Sequence, residues 1–160
     1  MTFDPYKPLD DVDWRILEEL QENARLTFSE LGRRVAMSPP AVADRVRRLE
    51  ETGVITGYHA VLDPELLGLP VQAWVRFRGE PRAKTKMETA IAHRAEILEC
   101  HHVTGDDCYL VRVAAPSMGA LEDVVGFLGG FGPTTTTIVF NTPLPRRTLR
   151  QAELDVARSA

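Results

Sequence analysis

The hydrophobic period changes between the two halves of this chain, and that change limits what it can fold into. Up to about residue 53 the apolar side chains recur at helical spacing: Val12, Ile16, Leu17 and Leu20, then Leu31 and Val35, then Val42, Val46 and Leu49. From Val71 they alternate. Val71, Ala73, Val75 and Phe77 are set against Gln72, Trp74, Arg76 and Arg78, the period of a strand. Between the halves lies DPELLGLP, residues 63–70, whose two prolines and glycine suit a linker. The chain thus divides into a helical domain over 1–62, a linker over 63–70, a mixed domain over 71–142 and a tail over 143–160.

Within the first domain the signals predict three helices and a short strand. Helix one runs from about Asp11 to Asn23, capped by Asp10 or Asp11. Helix two runs from Phe28 to Ala36, and Thr27 with Glu30 three residues on forms a capping box. Helix three has the clearest start: Ser38 as cap and Pro39 in the first turn, where a missing N–H costs nothing. Gly53 ends it, and residues 54–62 (VITGYHAVL) are strand-like with a bend at Gly57.

The second domain reads as strands Val71–Arg78, Ile97–Thr104, Cys108–Ala114 and Thr134–Phe140, with helices Thr85–His93 and Ser117–Leu128. That order, βαββαβ, is the ferredoxin-like arrangement, one antiparallel sheet with both helices on one face. The other face, carrying Trp74, is then left as an apolar surface available for dimerisation. The tail is basic at Arg146, Arg147 and Arg150 and can end in a helical turn.

Net charge is −4, which argues at first against nucleic acid as a partner. Placement matters more than the sum. Between Arg33 and Arg48 five arginines (33, 34, 45, 47, 48) face one acid, Asp44, while the acids of the same half cluster over Asp10–Glu22. No run of about 18 apolar residues is present to span a membrane, and the acidic, polar N-terminus lacks the apolar stretch of a signal peptide. A cytoplasmic location is expected. Two cysteines, Cys100 and Cys108, fit a reducing compartment. The expected hairpin sets Cys108 opposite Thr104, too far from Cys100 for a disulfide.

Two short helices joined by a tight turn at Met37, the second with arginines left over from its buried stripe, suit a helix-turn-helix on double-stranded DNA. The second helix enters the major groove with its N-terminal side chains on base edges. Ser38, Ala41 and Arg45 are the candidates for base contacts, and Arg33, Arg34, Arg47 and Arg48 for phosphate clamps; Asp44 completes the candidate set. The alternatives are a helical hairpin with merely solvated arginines, and a module whose arginines bind a protein.

Over nearly its whole length the chain resembles the Lrp/AsnC, or feast/famine, transcriptional regulators. The resemblance is carried by LDDVDWRILEELQENAR (9–25), by ELGRRVAMSPPAVADRVRRLEETGVITGY (30–58) and by HVTGDDCYLVRV (102–113). The most specific part is the S-P-x-x-V-x-x-R-V-x-R-L-E-x-x-G-V-I run beginning at Ser38. It implies an α+β chain: an N-terminal winged helix-turn-helix, a C-terminal ferredoxin-like ligand-sensing domain, dimers built through the C-terminal sheets, and often octamers.

The resemblance also implies an effector, usually an amino acid, bound between dimers near a loop that reads Gly-Asp-Tyr-Asp in the family. Here the loop is Gly105-Asp106-Asp107-Cys108, preceded by Thr104; Asp107 stands in place of the aromatic and Cys108 in place of the second acid. A glycine-led turn exposes backbone N–H groups for a carboxylate, and Asp106 suits an α-ammonium. The other contributing segment is Thr135, Thr136 and Thr137. Ordinary turn and strand chemistry accounts for the same residues.

Metal and enzymatic readings start from Cys100, His101, His102, Asp106, Asp107 and Cys108. Adjacent His101 and His102 on a strand point to opposite faces, and no C-x-x-C pair occurs. Nucleophile elbow, P-loop and dinucleotide glycine motifs are missing too, so no cofactor and no catalysis are expected, although fold does not fix function.

Overall fold

The computed structural model describes residues 9–79, 84–105 and 108–153. They form two compact units: one takes the described residues up to Ala60 together with those from Leu144 onward, the other takes Val61–Pro143.

The first unit holds α1 (Asp11–Glu22), α2 (Phe28–Val35) and α3 (Pro39–Glu51). Ile16, Leu31, Val35, Val42, Val46 and Leu49 form its core, as their spacing predicts. Asp10 caps α1 by accepting from the amides of Val12 and Asp13, at 3.0 and 2.8 Å. The Asp13 carboxylate answers on the Asp10 amide, so two acids close the box. The Thr27–Glu30 box forms on α2. Ser38 occupies the N-cap position of α3, but its hydroxyl makes no capping bond. Pro40 removes the amide at the second helical position, one of the two that an N-cap oxygen normally serves.

Residues 54–62 are not a strand, contrary to the expectation from their β-branched composition. Strand hydrogen bonds need a partner, and the described residues of this unit offer none. The segment is tied back to α3 instead, by the Ile55 amide on the Leu49 carbonyl at 3.0 Å and the Tyr58 hydroxyl on Glu50 at 2.8 Å. The tail also belongs to this unit. Gln21 holds the Leu149 backbone through both its amide oxygen and its amide nitrogen, Arg150 pairs with Glu22, and residues 151–153 are helical.

In the second unit the order is β1 (Val71–Phe77), α4 (Lys84–Ala92), β2 (Ile97–His102), β3 (Tyr109–Ala115), α5 (Met118–Gly129) and β4 (Thr134–Ile138). The expected βαββαβ order is present. The four strands lie antiparallel in the order β2-β3-β1-β4. Ala73, Val75, Phe77, Val111, Val113 and Ala115 point to one face and pack with Met87 and Ile91 of α4 and Leu121, Val124 and Leu128 of α5. The opposite face carries Gln72, Trp74 and Arg76, with Leu110, Arg112, Glu99, His101, Thr135 and Thr137 beside them in register. It is more polar than expected; Arg112 is paired with Glu99 at 2.8 Å. The hairpin loop is one residue longer than the sequence reading, with Cys108 bonded to Val103 rather than facing Thr104. Cys100 sits opposite Val111, and both cysteines are free.

Candidate functional site

The turn between α2 and α3 depends on two residues that the sequence signals did not single out. Ala36 takes a left-handed conformation, φ 57°, and caps α2, while the Met37 amide reaches the Gly32 carbonyl at 2.8 Å. A Cβ on Gly32 would lie 2.6 Å from the Met37 carbonyl oxygen, closer than any side chain tolerates. Gly32 is therefore what lets the turn pass so close over α2, and the close pass fixes the angle at which α3 leaves.

Along α3 the residues sort by direction. At about 100° of turn per residue, Pro40, Asp44, Arg47 and Glu51 fall in a sector of about 60°, nearly opposite Val42, Val46 and Leu49. All four are exposed and the latter three are buried. Arg45 belongs to neither group. It leans toward α1, where its Nη1 donates to Asp10 at 2.6 Å and to Asp13 at 2.7 Å. Arg48 donates Nη2 to both oxygens of the same Asp13, at 2.8 and 3.0 Å. The Asp13 side chain is only 6% exposed. A carboxylate that deep is tolerable because two guanidinium groups and a backbone amide satisfy it. The hydrogen bond from Arg45 holds the Asp10 carboxyl below its ordinary value, and the same bond raises Arg45.

The remaining candidates are placed as follows. Arg34 is paired with Glu19 of α1, whose hydrogen bond raises its pKa, and Arg47 is paired with Asp44 at 3.0 Å. Arg33 is exposed and makes no ion pair among the described residues. Ser38 is exposed and Ala41 half-buried. Arg45, grouped by sequence with Ser38 and Ala41 as facing base edges, is therefore turned toward the acids of α1 instead. The expectation of a strongly uncompensated basic patch is corrected as well: the acids of α1, distant in sequence, are brought by helix packing against the arginines of α2 and α3. Asp10, Asp13 and Glu19 were absent from the sequence-derived site, and helical angles on α3 were the signal that points to the first two.

At the other candidate site, Gly105 adopts φ 111° at the hairpin tip, open enough that a Cβ there would meet nothing within 4 Å. Thr104 is exposed and Cys108 half-buried against the sheet core; Asp106 and Asp107 lie outside the described residues. Thr135 and Thr137 share the open sheet face, and Thr136 faces the other way. Tyr109, Phe77 and Thr134 form one register row, so the hairpin tip and the start of β4 lie at the same end of the sheet. β1 separates them, however, by about two strand spacings, roughly 10 Å. One chain brings the two halves of the candidate site to one end without joining them. Among the described residues no group of three or more His, Cys, Asp and Glu is placed to hold a metal, and no helix is long and apolar enough to cross a membrane.

These two features have counterparts in known proteins. Residues 9–50 match the AsnC-type helix-turn-helix domain and residues 72–149 match the Lrp/AsnC ligand binding domain. The chain is 35% identical over 133 residues to the HTH-type transcriptional regulator LrpC of Bacillus subtilis, covering 83% of this chain and 92% of that protein. It is 39% identical over 142 residues to the leucine-responsive regulatory protein of Escherichia coli, covering 84% and 87%. The structure of LrpC superposes with a TM-score of 0.82 at 33% identity, covering 86% of this chain and 99% of LrpC. A transcriptional regulator from Neisseria meningitidis, solved as its L-Met complex, gives 0.83 at 32% identity, covering 91% and 99%. An exposed recognition helix on one unit and a helix-backed antiparallel sheet on the other thus carry the same meaning as the matches: the chain belongs to the Lrp/AsnC family of transcriptional regulators, a family of DNA-binding proteins and not of enzymes.

Proposed function

We propose that this chain is a homo-oligomeric regulator that binds pseudo-palindromic double-stranded DNA through paired α3 helices and responds to an amino acid or a closely related metabolite. The observation that carries the effector part is the split site. The Gly105 turn and Thr135–Thr137 lie at one end of the sheet but on strands that β1 keeps apart. A small zwitterion is too short to span that gap, so a second copy completes the site, and binding then favours one assembly over another. Only such a preference lets a ligand shift an equilibrium. The hairpin turn supplies amides for the carboxylate, and the threonine hydroxyls supply polar contacts. The relatives support the ligand class, one being named leucine-responsive and another solved with L-Met.

The open sheet face around Trp74 forms the dimer, and dimers assemble further, to octamers. Pairing two copies places two α3 helices in one molecule, which matches a two-fold operator. The test is a thermal-shift screen with the twenty amino acids and common metabolites, followed by sedimentation with each hit. A shift confined to one chemical class, with a change in assembly, is the expected result. No shift from any compound would refute the effector reading and leave a ligand-independent DNA-binding protein.

A further inference from the structure

We infer that the Asp44–Arg47 pair is the base-reading element of α3, and that Arg45 and Arg48 position the helix without reading sequence. This rests on the DNA-binding reading above and specifies which side chains carry it. Three observations point the same way. First, Pro40, Asp44, Arg47 and Glu51 form the exposed stripe, whereas Arg45 is turned toward α1 and its side chain is only 25% exposed. Second, Arg45 and Arg48 already spend hydrogen bonds on Asp13, so moving either one to a base would leave a carboxylate that is 6% exposed short of a partner. Such a loss is costly in a way that a surface pair is not.

Third, Arg47 is a poor phosphate clamp. Asp44 sits 3.0 Å from its Nη1 and cancels its charge, and a phosphate brought there would also meet the carboxylate. On base edges the same pair is well matched. The remaining guanidinium N–H groups fit the O6 and N7 acceptors of guanine, and the carboxylate accepts from the N4 amino group of cytosine. Residues three apart on a helix rise about 4.5 Å, near the roughly 3.4 Å between successive base pairs. Asp44 and Arg47 therefore address neighbouring pairs, and Asp44 holds the Arg47 guanidinium in place before DNA arrives. The half-site predicted is one with a guanine beside a cytosine at the centre of the α3 footprint.

The experiment is selection from a randomised duplex pool by the full-length oligomer, with sequencing of the bound fraction, for the wild type and for Arg47→Ala, Asp44→Ala and Arg45→Met. Both Arg47 and Asp44 are exposed, so their variants should fold. Arg47→Ala should lower the preference for one guanine by about fivefold to 150-fold, the range of one good bidentate contact. Asp44→Ala should relax the neighbouring position, and Arg45→Met should lower the melting temperature while the preference profile stays the same. Equal loss on all sequences with Arg47→Ala would overturn the assignment and make Arg47 a phosphate contact. A changed profile with Arg45→Met alone would overturn it in favour of Arg45 swinging out on DNA. If the wild type enriches no sequence at all, it is the sequence-specific DNA-binding reading itself that fails.

Discussion

Removing the Asp13 carboxylate should cost the three-helix unit much more than an ordinary surface charge would. Its oxygens accept from Arg45 at 2.7 Å, from Arg48 at 2.8 and 3.0 Å, and from the Asp10 amide at 3.3 Å. Breaking a fully buried pair costs about 3–5 kcal/mol. Here the arginine side chains are 25% and 44% exposed, so water recovers part of that when Asp13 is gone. The lost half of the capping box adds about 0.5–1 kcal/mol. The sum for Asp13→Ala is about 2–4 kcal/mol, with Asp13→Asn at roughly half, because the amide oxygen still accepts. For a unit of this size that is a fall in Tm of roughly 8 °C or more. The chain has two tryptophans, Trp14 on α1 and Trp74 on β1. In a Trp74→Phe background, Trp14 fluorescence during urea unfolding reports this unit alone. A double-mutant cycle with Arg45→Met should give a coupling of at least about 1 kcal/mol. A loss under about 0.5 kcal/mol for Asp13→Ala, or no coupling, would show that these are screened surface bridges and that α3 is held by its apolar stripe only.

Other outcomes follow from the same structure. Gly32→Ala should destabilise the unit by about 1–3 kcal/mol, since its Cβ meets backbone at 2.6 Å; circular dichroism melting checks it. Asp10 has its folded pKa below the ordinary 3.8, through Arg45 first of all, so it stabilises the fold above that pH. The contribution fades as pH falls from about 3.8 through the depressed value, and Arg45→Met should flatten this part of an acid-unfolding profile. Trp74→Glu should yield smaller species in sedimentation if the open sheet face is the dimer contact, and unchanged assembly would place the contact elsewhere.

The fold was legible where one local signal sufficed. The alternation from Val71 to Phe77 and the Thr27–Glu30 box each describe an element in a few residues, and both are present. Thr134–Ile138 was legible too, through β-branched content alone. The same signal misled over residues 54–62, because a strand is a property of two segments and the partner is missing from the described residues of that unit. The candidate site was legible as a set of residues but not as a set of roles. Arg45 and Asp13 are 32 residues apart, and nothing local announces that they touch. What was readable is direction: Arg45 follows Val42 by three positions and Leu49 follows Arg45 by four, so it lies along one edge of the buried stripe and not opposite it.

Charge pairing within the unit also settles how an acidic protein should behave on DNA. An arginine that exchanges its carboxylate for a phosphate frees the counterions of that phosphate but leaves an acid that attracts its own, so the net release is small. Five independent clamps would give a slope of log K against log salt of about −4.5 per chain, from about −0.9 per phosphate neutralised. Arg34, Arg45, Arg47 and Arg48 are all paired with acids, while Arg33 has no ion pair among the described residues. Arg33→Ala should therefore flatten the slope by about 0.9 per bound chain. The neutral double change Arg34→Ala with Glu19→Ala should leave it nearly as it was. Anisotropy titrations of a random-sequence duplex across salt concentrations measure both. Equal slope changes for the two would mean that Arg34 leaves Glu19 for phosphate at a net gain in counterions, and the compensated patch would have no bearing on binding. If the slopes differ as expected, the acids of α1 keep non-specific affinity low, and the protein owes its residence on an operator to the few side chains that read bases.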